Sequence, residues 1–169
     1  MVFSAEVEKQ FLAGLLNYPD KYVEIAAFVS SKDFFFEPNQ IIYSFLKSDY
    51  ESGNFVDEVI LSERIRLSGI SFEDNINVSD YIKALKLKRS PQSSVIESAK
   101  ELKKLSVRRE ISESAQRIVK EMKSIDSSKN LTEIINKADS IYSENINLYE
   151  NGENSPQNIF SEMEEVIEF

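Results

Sequence analysis

The side chains that most often do chemistry near neutral pH are missing from this sequence: it holds no His and no Cys. Serine–histidine and cysteine–histidine nucleophiles are therefore excluded, as are zinc sites built on His or Cys and any disulfide. What remains is acidic, basic and aromatic. The 29 Asp and Glu residues are numerous enough to suggest paired-carboxylate work, but they fall on the polar sides of helical patterns or in loops, where solvated carboxylates are the expected reading. Asp20, Asp33, Asp49, Asp57, Asp74, Asp80, Asp126 and Asp139 show no calcium-loop spacing. The four glycines, Gly14, Gly53, Gly69 and Gly152, stand alone, and none heads a Gly-Lys-Ser/Thr run. A phosphate-cradling loop needs such glycines so that backbone N–H groups can approach the anion.

Three clusters could still bind something. Phe34-Phe35-Phe36 has the makings of a nucleic-acid stacking platform. No basic residues are interleaved with it, so the favoured reading is that Phe34 and one neighbour plug a core. Lys86-Leu87-Lys88-Arg89 and Arg108-Arg109 are the densest basic spots. The first reads as a solvated helix end complementing the helix dipole rather than as a phosphate contact. A net charge of −9 argues against wrapping a nucleic-acid backbone, so direct DNA binding is expected to be weak or absent.

The elements that would position these residues read as helices throughout. Ser4 can cap a helix carrying Val7, Phe11, Leu12, Leu15 and Leu16, which stops before Pro19. Lys21 to Val29 reads as a short helix with Tyr22, Ile25, Ala26 and Val29 on one face. Pro38 looks like a first-turn proline, ahead of Ile41, Ile42, Phe45 and Leu46. Asp57 caps a fourth helix with Val59, Ile60, Ile65 and Leu67, and Ser79 a fifth with Tyr81, Ile82 and Leu85.

After Ser90-Pro91 the character changes, because no Gly or Pro occurs before Gly152. Gln92 to Ile125 reads as one long helix, with Val107, Ile111, Ala115, Ile118, Met122 and Ile125 recurring every three or four residues. Asp126-Ser127-Ser128-Lys129 breaks it. Asn130 and Glu133 then form a capping box for a helix with Leu131, Ile134, Ile135, Ala138, Ile141, Tyr142 and Leu148. Two long helices joined by so short a turn must be antiparallel neighbours, so Leu102–Tyr149 is expected to be a hairpin. Its stripes are wide for one pair to bury, which favours a self-association face over a purely internal seam. Past the linker at 150–156, Ile159, Phe160, Met163, Val166 and Ile167 line one side of a short amphipathic segment with glutamates opposite. Such a segment docks on a partner.

The fold class is thus all-α. The expected division is a small globular helical head at 4–90, a long antiparallel hairpin at 91–149, and a linker with its helix at 150–169. The N-terminus is no signal peptide and no apolar run approaches a membrane span, so the cytoplasm is the expected compartment. No cofactor or metal is expected in this chain.

The pieces in this order resemble the N-terminal domain of the DnaB-type hexameric replicative DNA helicases, from about Ala5 to Phe169. The carriers are Glu6-Val7-Glu8-Lys9-Gln10-Phe11-Leu12-Ala13-Gly14-Leu15-Leu16, Asp33-Phe34-Phe35, Pro38-Asn39-Gln40-Ile41-Ile42-Tyr43, Gly53-Asn54-Phe55-Val56-Asp57, Tyr81-Ile82-Lys83-Ala84-Leu85, Ser90-Pro91 and Arg108-Arg109-Glu110-Ile111. The usual His near Pro38 is Asn or Gln here, and the usual Gly-Gly before Tyr81 is absent; these departures are compatible with a divergent, phage-encoded member. The resemblance implies a collar tier in which hairpins dimerise and three dimers form a ring. It also implies docking of primase and, in some systems, a helicase loader. The segment at 158–168 would pack on the motor domain of a neighbouring subunit. ATP and Mg²⁺ would belong to that motor domain, so this chain is expected neither to hydrolyse ATP nor to unwind DNA. The competing reading is a helicase-binding adaptor, or the C-terminal domain of a primase, with a similar helical fold.

Overall fold

Helix follows helix wherever the apolar residues recur at three and four. The computed structural model describes residues 1–54 and 56–146, and among them there is no strand. The helices are α1 (Ala5–Asn17), α2 (Tyr22–Ile25), α3 (Glu37–Glu51), α4 (Glu58–Leu67), α5 (Val78–Leu87), α6 (Ser94–Ser124) and α7 (Leu131–Ile146), with short 3₁₀ turns at Pro19–Lys21, Ser31–Asp33 and Glu73–Asn75. The chain divides into two compact units, Met1–Arg109 and Glu110–Phe169. The division falls within α6, whose first four turns belong to the first unit.

The core of the first unit is built from the predicted faces. Phe11, Leu12, Leu15, Ile25, Phe34, Ile42, Tyr43, Leu46, Leu61, Ile65 and Ile82 are all essentially inaccessible to water, and Val95, Ala99 and Leu102 of α6 join them. Burial of each such large side chain contributes about 1.5–3 kcal/mol. Phe34 wedges against Phe11 and Tyr43, with ring centroids 5.9 and 5.1 Å away. It is the only one of the three consecutive phenylalanines to be fully buried, since Phe35 and Phe36 remain half-exposed. α1 crosses α6 at Gly14, where the lack of a Cβ permits backbone approach.

The ends of the helices follow their capping residues. The Ser4 hydroxyl accepts from the Val7 N–H at 3.3 Å, and the Asp57 carboxylate accepts from Val59 and Ile60 N–H at 2.9 and 3.1 Å. α5 is capped by Asn77, not by Ser79: the Asn77 side chain accepts from the Asp80 N–H, and its carbonyl accepts from the Tyr81 N–H. Starting the helix earlier gains hydrogen-bonded backbone at no loss of capping quality, because Asn caps as well as Ser. The expected helix at Lys21 to Val29 is shorter than its pattern. Tyr22, Ile25 and Val29 are buried, but Ala26 is exposed. Both Phe28 and Val29 donate to the Ile25 carbonyl, a tightening that ends the helix.

Candidate interaction surface

The second unit is organised by its turn. The Asn130 side chain accepts from the Glu133 N–H and the Glu133 carboxylate accepts from the Asn130 N–H, both at 2.9 Å. This reciprocal box starts α7. The Asn130 N–H bond, reinforced by the charge of Lys129, holds the Glu133 carboxyl below the usual carboxylate range. Asp126 is held low in the same way by the Ser128 N–H. Arg117 pairs with Glu144 at 2.9 Å and Glu121 with Lys137 at 4.0 Å. Later residues of α6 therefore meet earlier residues of α7, the antiparallel register expected for a hairpin.

Two apolar rows emerge on this pair. Ile118, Met122, Ile125, Ile134 and Ala138 are half-buried and Ile141 is buried, which marks them as the inner row. Leu131 and Ile135 stand 79% and 66% exposed, with Tyr142 also exposed, so α7 carries a second row facing water. On α6 the exposed row is Ile111, Ala115 and Val119, one helical turn apart. Val119 lies outside the expected stripe, although it follows Ala115 at the same four-residue spacing. Val107 is half-buried and falls in the first unit. Ile159, Phe160, Met163, Val166 and Ile167 lie outside the described residues, as does Leu148.

The first unit positions its own surface through a buried polar junction that the sequence reading left without a role. Glu8 is almost wholly buried. Its carboxylate accepts from the Phe35 N–H at 2.7 Å, the Phe36 N–H at 3.3 Å and the Asn39 side-chain amide at 2.7 Å. Phe36 is the N-cap of α3 and has no cap of its own, so Glu8 supplies the negative charge that a helix N-terminus favours. Asn39 in turn accepts from the Tyr81 hydroxyl at 2.8 Å. Burial of that phenol, first among its causes, raises the Tyr81 pKa.

Two cations of α6 hold the same connector. Lys103 lies 3.0 Å from the buried Asp33 carboxylate, which also accepts from the Ser30 N–H at 2.7 Å. Arg109 donates to the Asp33 carbonyl at 2.9 Å and to the Val2 carbonyl at 3.0 Å, with its guanidinium over the Phe35 ring. Phe3 stacks on Phe35 at 4.5 Å between centroids. The Arg108-Arg109 pair is thus split between solvent and an internal clasp. The Lys86–Arg89 run is likewise mostly committed. Lys86 donates to the Leu16 carbonyl at the end of α1 at 2.7 Å, and Lys88 pairs with Glu6 at 3.0 Å. Lys88 lowers the Glu6 pKa by hydrogen bond and by charge.

What these features define is an all-helical domain whose buried polar residues fix structure and whose water-exposed apolar rows lie on a helical hairpin. Among the described residues, no group of carboxylates could hold a metal ion and no helix is long and apolar enough to cross a membrane. Residues 1–121 match the family described as the DnaB-like helicase N terminal domain, and the chain belongs to that family. Its fold is similar to the crystal structure of the N-terminal domain of DnaB helicase from Mycobacterium tuberculosis, with a TM-score of 0.74 at 17% identity over 85% of this chain and 98% of that one. No curated protein sequence matches the chain significantly. The family's motifs acquire a physical meaning here. Glu8, Asp33, Asn39 and Tyr81 all come from the stretches that carry the resemblance, and all serve the junction that holds α1, α3, α5 and α6 together.

Proposed function

We propose that this domain serves as the collar of a replicative DNA helicase, an assembly and docking module that self-associates through its hairpin. The observation that carries the reading is the set of exposed apolar side chains on both helices, Ile111, Ala115 and Val119 on α6 and Leu131, Ile135 and Tyr142 on α7. A two-helix unit has too much surface for its volume to hide both of its rows, and a second hairpin laid against the exposed row completes a four-helix bundle. Pairing of hairpins gives a dimer, and three such dimers a ring.

The collar receives primase and, in some systems, a loader. The segment at 158–168 docks on the motor domain of a neighbouring subunit through Ile159, Phe160, Met163, Val166 and Ile167. ATP and Mg²⁺ act in that motor, in the cytoplasm of a bacterial or phage-infected cell. Sedimentation equilibrium across concentration tests the central claim: a mass that rises from monomer to dimer and beyond is expected, and a monomer at all concentrations would refute it. A primase helicase-binding domain added to the assembled chain should co-sediment with it; failure to do so would remove the docking role.

A further inference from the structure

The segment ahead of α1 has almost no backbone support. Among the described residues, the first backbone–backbone hydrogen bond runs from the Glu8 N–H to the Ser4 carbonyl. Met1–Phe3 make a single hydrogen bond there, in which the Val2 carbonyl accepts from Arg109 Nη1 at 3.0 Å. Met1 is 88% exposed and Phe3 43%. Segments of this kind stay loose unless something ties them down. Here ring contacts and one cation do so. Phe3 stacks on Phe35 with centroids 4.5 Å apart and meets Phe36 edge-on at 5.3 Å. Phe35 in turn lies under the Arg109 guanidinium, 5.8 Å from it. Arg109 directs its other arm, Nη2, to the Asp33 carbonyl at 2.9 Å. One planar fork thereby joins residues 2–3, residues 33–35 and α6. Arg109 is also the last residue of the first unit, and Lys103 makes the earlier attachment of α6 to the same connector through the Asp33 carboxylate.

We propose that Met1–Phe3 is a releasable strap that locks the turns of α6 at 103–109 to the connector at 33–36. With the strap closed, Phe3 covers Phe35 and Val2 fixes one arm of Arg109. When it opens, one hydrogen bond and one set of ring contacts are lost, Phe35 and Phe36 are uncovered, and Arg109 keeps only its Asp33 arm and the Phe35 ring. So few contacts make the opening a local event, far less costly than unfolding the core of the head. Strap and helix are coupled in both directions. A partner that draws the segment away loosens α6, and anything that steadies α6 holds the segment closed. The lock lies within the first unit and does not depend on self-association of the hairpin.

Hydrogen–deuterium exchange of the full chain, read peptide by peptide in a mass spectrometer, tests this. Phe3→Ala should speed exchange of the α6 amides at 105–112 by about tenfold, the effect expected from losing one stacked aromatic pair. Amides of α1 and α3 should keep their wild-type protection. Phe3→Tyr retains the ring and should stay within about twofold of wild type. Arg109→Lys removes the fork, and adding Phe3→Ala to it should change little more, because both residues act through one lock. Unchanged exchange at 105–112 in Phe3→Ala, faster exchange throughout the head, or additive effects of the two substitutions would overturn the proposal.

Discussion

A Cβ built on Gly14 of α1 would lie 2.8 Å from the Val95 Cγ2 of α6, and 3.4 Å from the Val95 Cβ. The two helices thus touch where one residue has no side chain and the other is branched and stiff, and neither can yield without moving backbone. Gly14→Ala should destabilise the protein by about 1–3 kcal/mol despite the higher helix propensity of Ala. Combining it with Val95→Ala should recover part of that loss, giving a favourable coupling in a double-mutant cycle. Urea midpoints of the four proteins measure it, and strict additivity would show that the contact is not the cause.

Glu8 predicts a larger effect. Glu8→Ala removes the acceptor of two partly buried N–H groups at the start of α3 and of the buried Asn39 amide. A buried, unpaired donor costs about 1–3 kcal/mol and a partly buried one less, so the variant should lose about 3 kcal/mol. Glu8→Gln keeps the shape but turns a donor toward donors, and should recover only part of the difference. Denaturant unfolding followed by circular dichroism would read both; wild-type stability in Glu8→Ala would mean the junction is solvated.

The hairpin rows make opposite predictions for neighbouring isoleucines. Ile135→Asp changes a side chain already in water, so the monomer should remain folded while self-association weakens. Ile141→Asp places a charge in the inner row, where the unpaired carboxylate costs several kcal/mol, and should melt α7 itself. Sedimentation and helical signal, taken together, separate the two outcomes; identical behaviour of both variants would erase the distinction between rows.

The turn should be acid-sensitive. The Glu133 carboxyl is held below its ordinary range by the Asn130 N–H. Its stabilising contribution is therefore present above the unfolded carboxylate value and is lost as pH falls through the lower folded value. Glu133→Gln should flatten the pH dependence of hairpin stability in that acidic window and leave the rest unchanged. Thermal melts from neutral to acid pH would show this, and parallel curves for the two proteins would contradict it.

Glu73 has the opposite sign. Its pKa is raised, first by a hydrogen bond with Glu37 and then by the charge of that neighbour. The penalty is absent below the unfolded value and grows as pH rises through the higher folded one. Glu73→Gln should therefore raise the melting temperature at neutral pH and leave it unchanged at low pH. A lower melting temperature at neutral pH would show that the carboxylate stabilises the loop.

Much of this protein was legible from its residues in order. Helix existence, the Ser4 and Asp57 caps, the Asn130–Glu133 box and the antiparallel hairpin all arise from interactions within a few residues, and local spacing encodes them directly. So does the absence of His and Cys, which excluded the chemistry that depends on them. The assignments that depend on distant partners could not be read that way. Lys86 ends at the carbonyl of Leu16, Arg109 clasps Val2 and Asp33, and Glu8 caps a helix that begins about thirty residues later; no periodicity carries such pairings. Periodicity also names an apolar residue without saying which side of its helix finds a neighbour. Ile65 is buried while Ile60 is exposed, and Ile141 is buried while Ile135 is exposed. Only packing made that choice, because burial depends on the whole set of surrounding elements and not on the residue's place in its own helix.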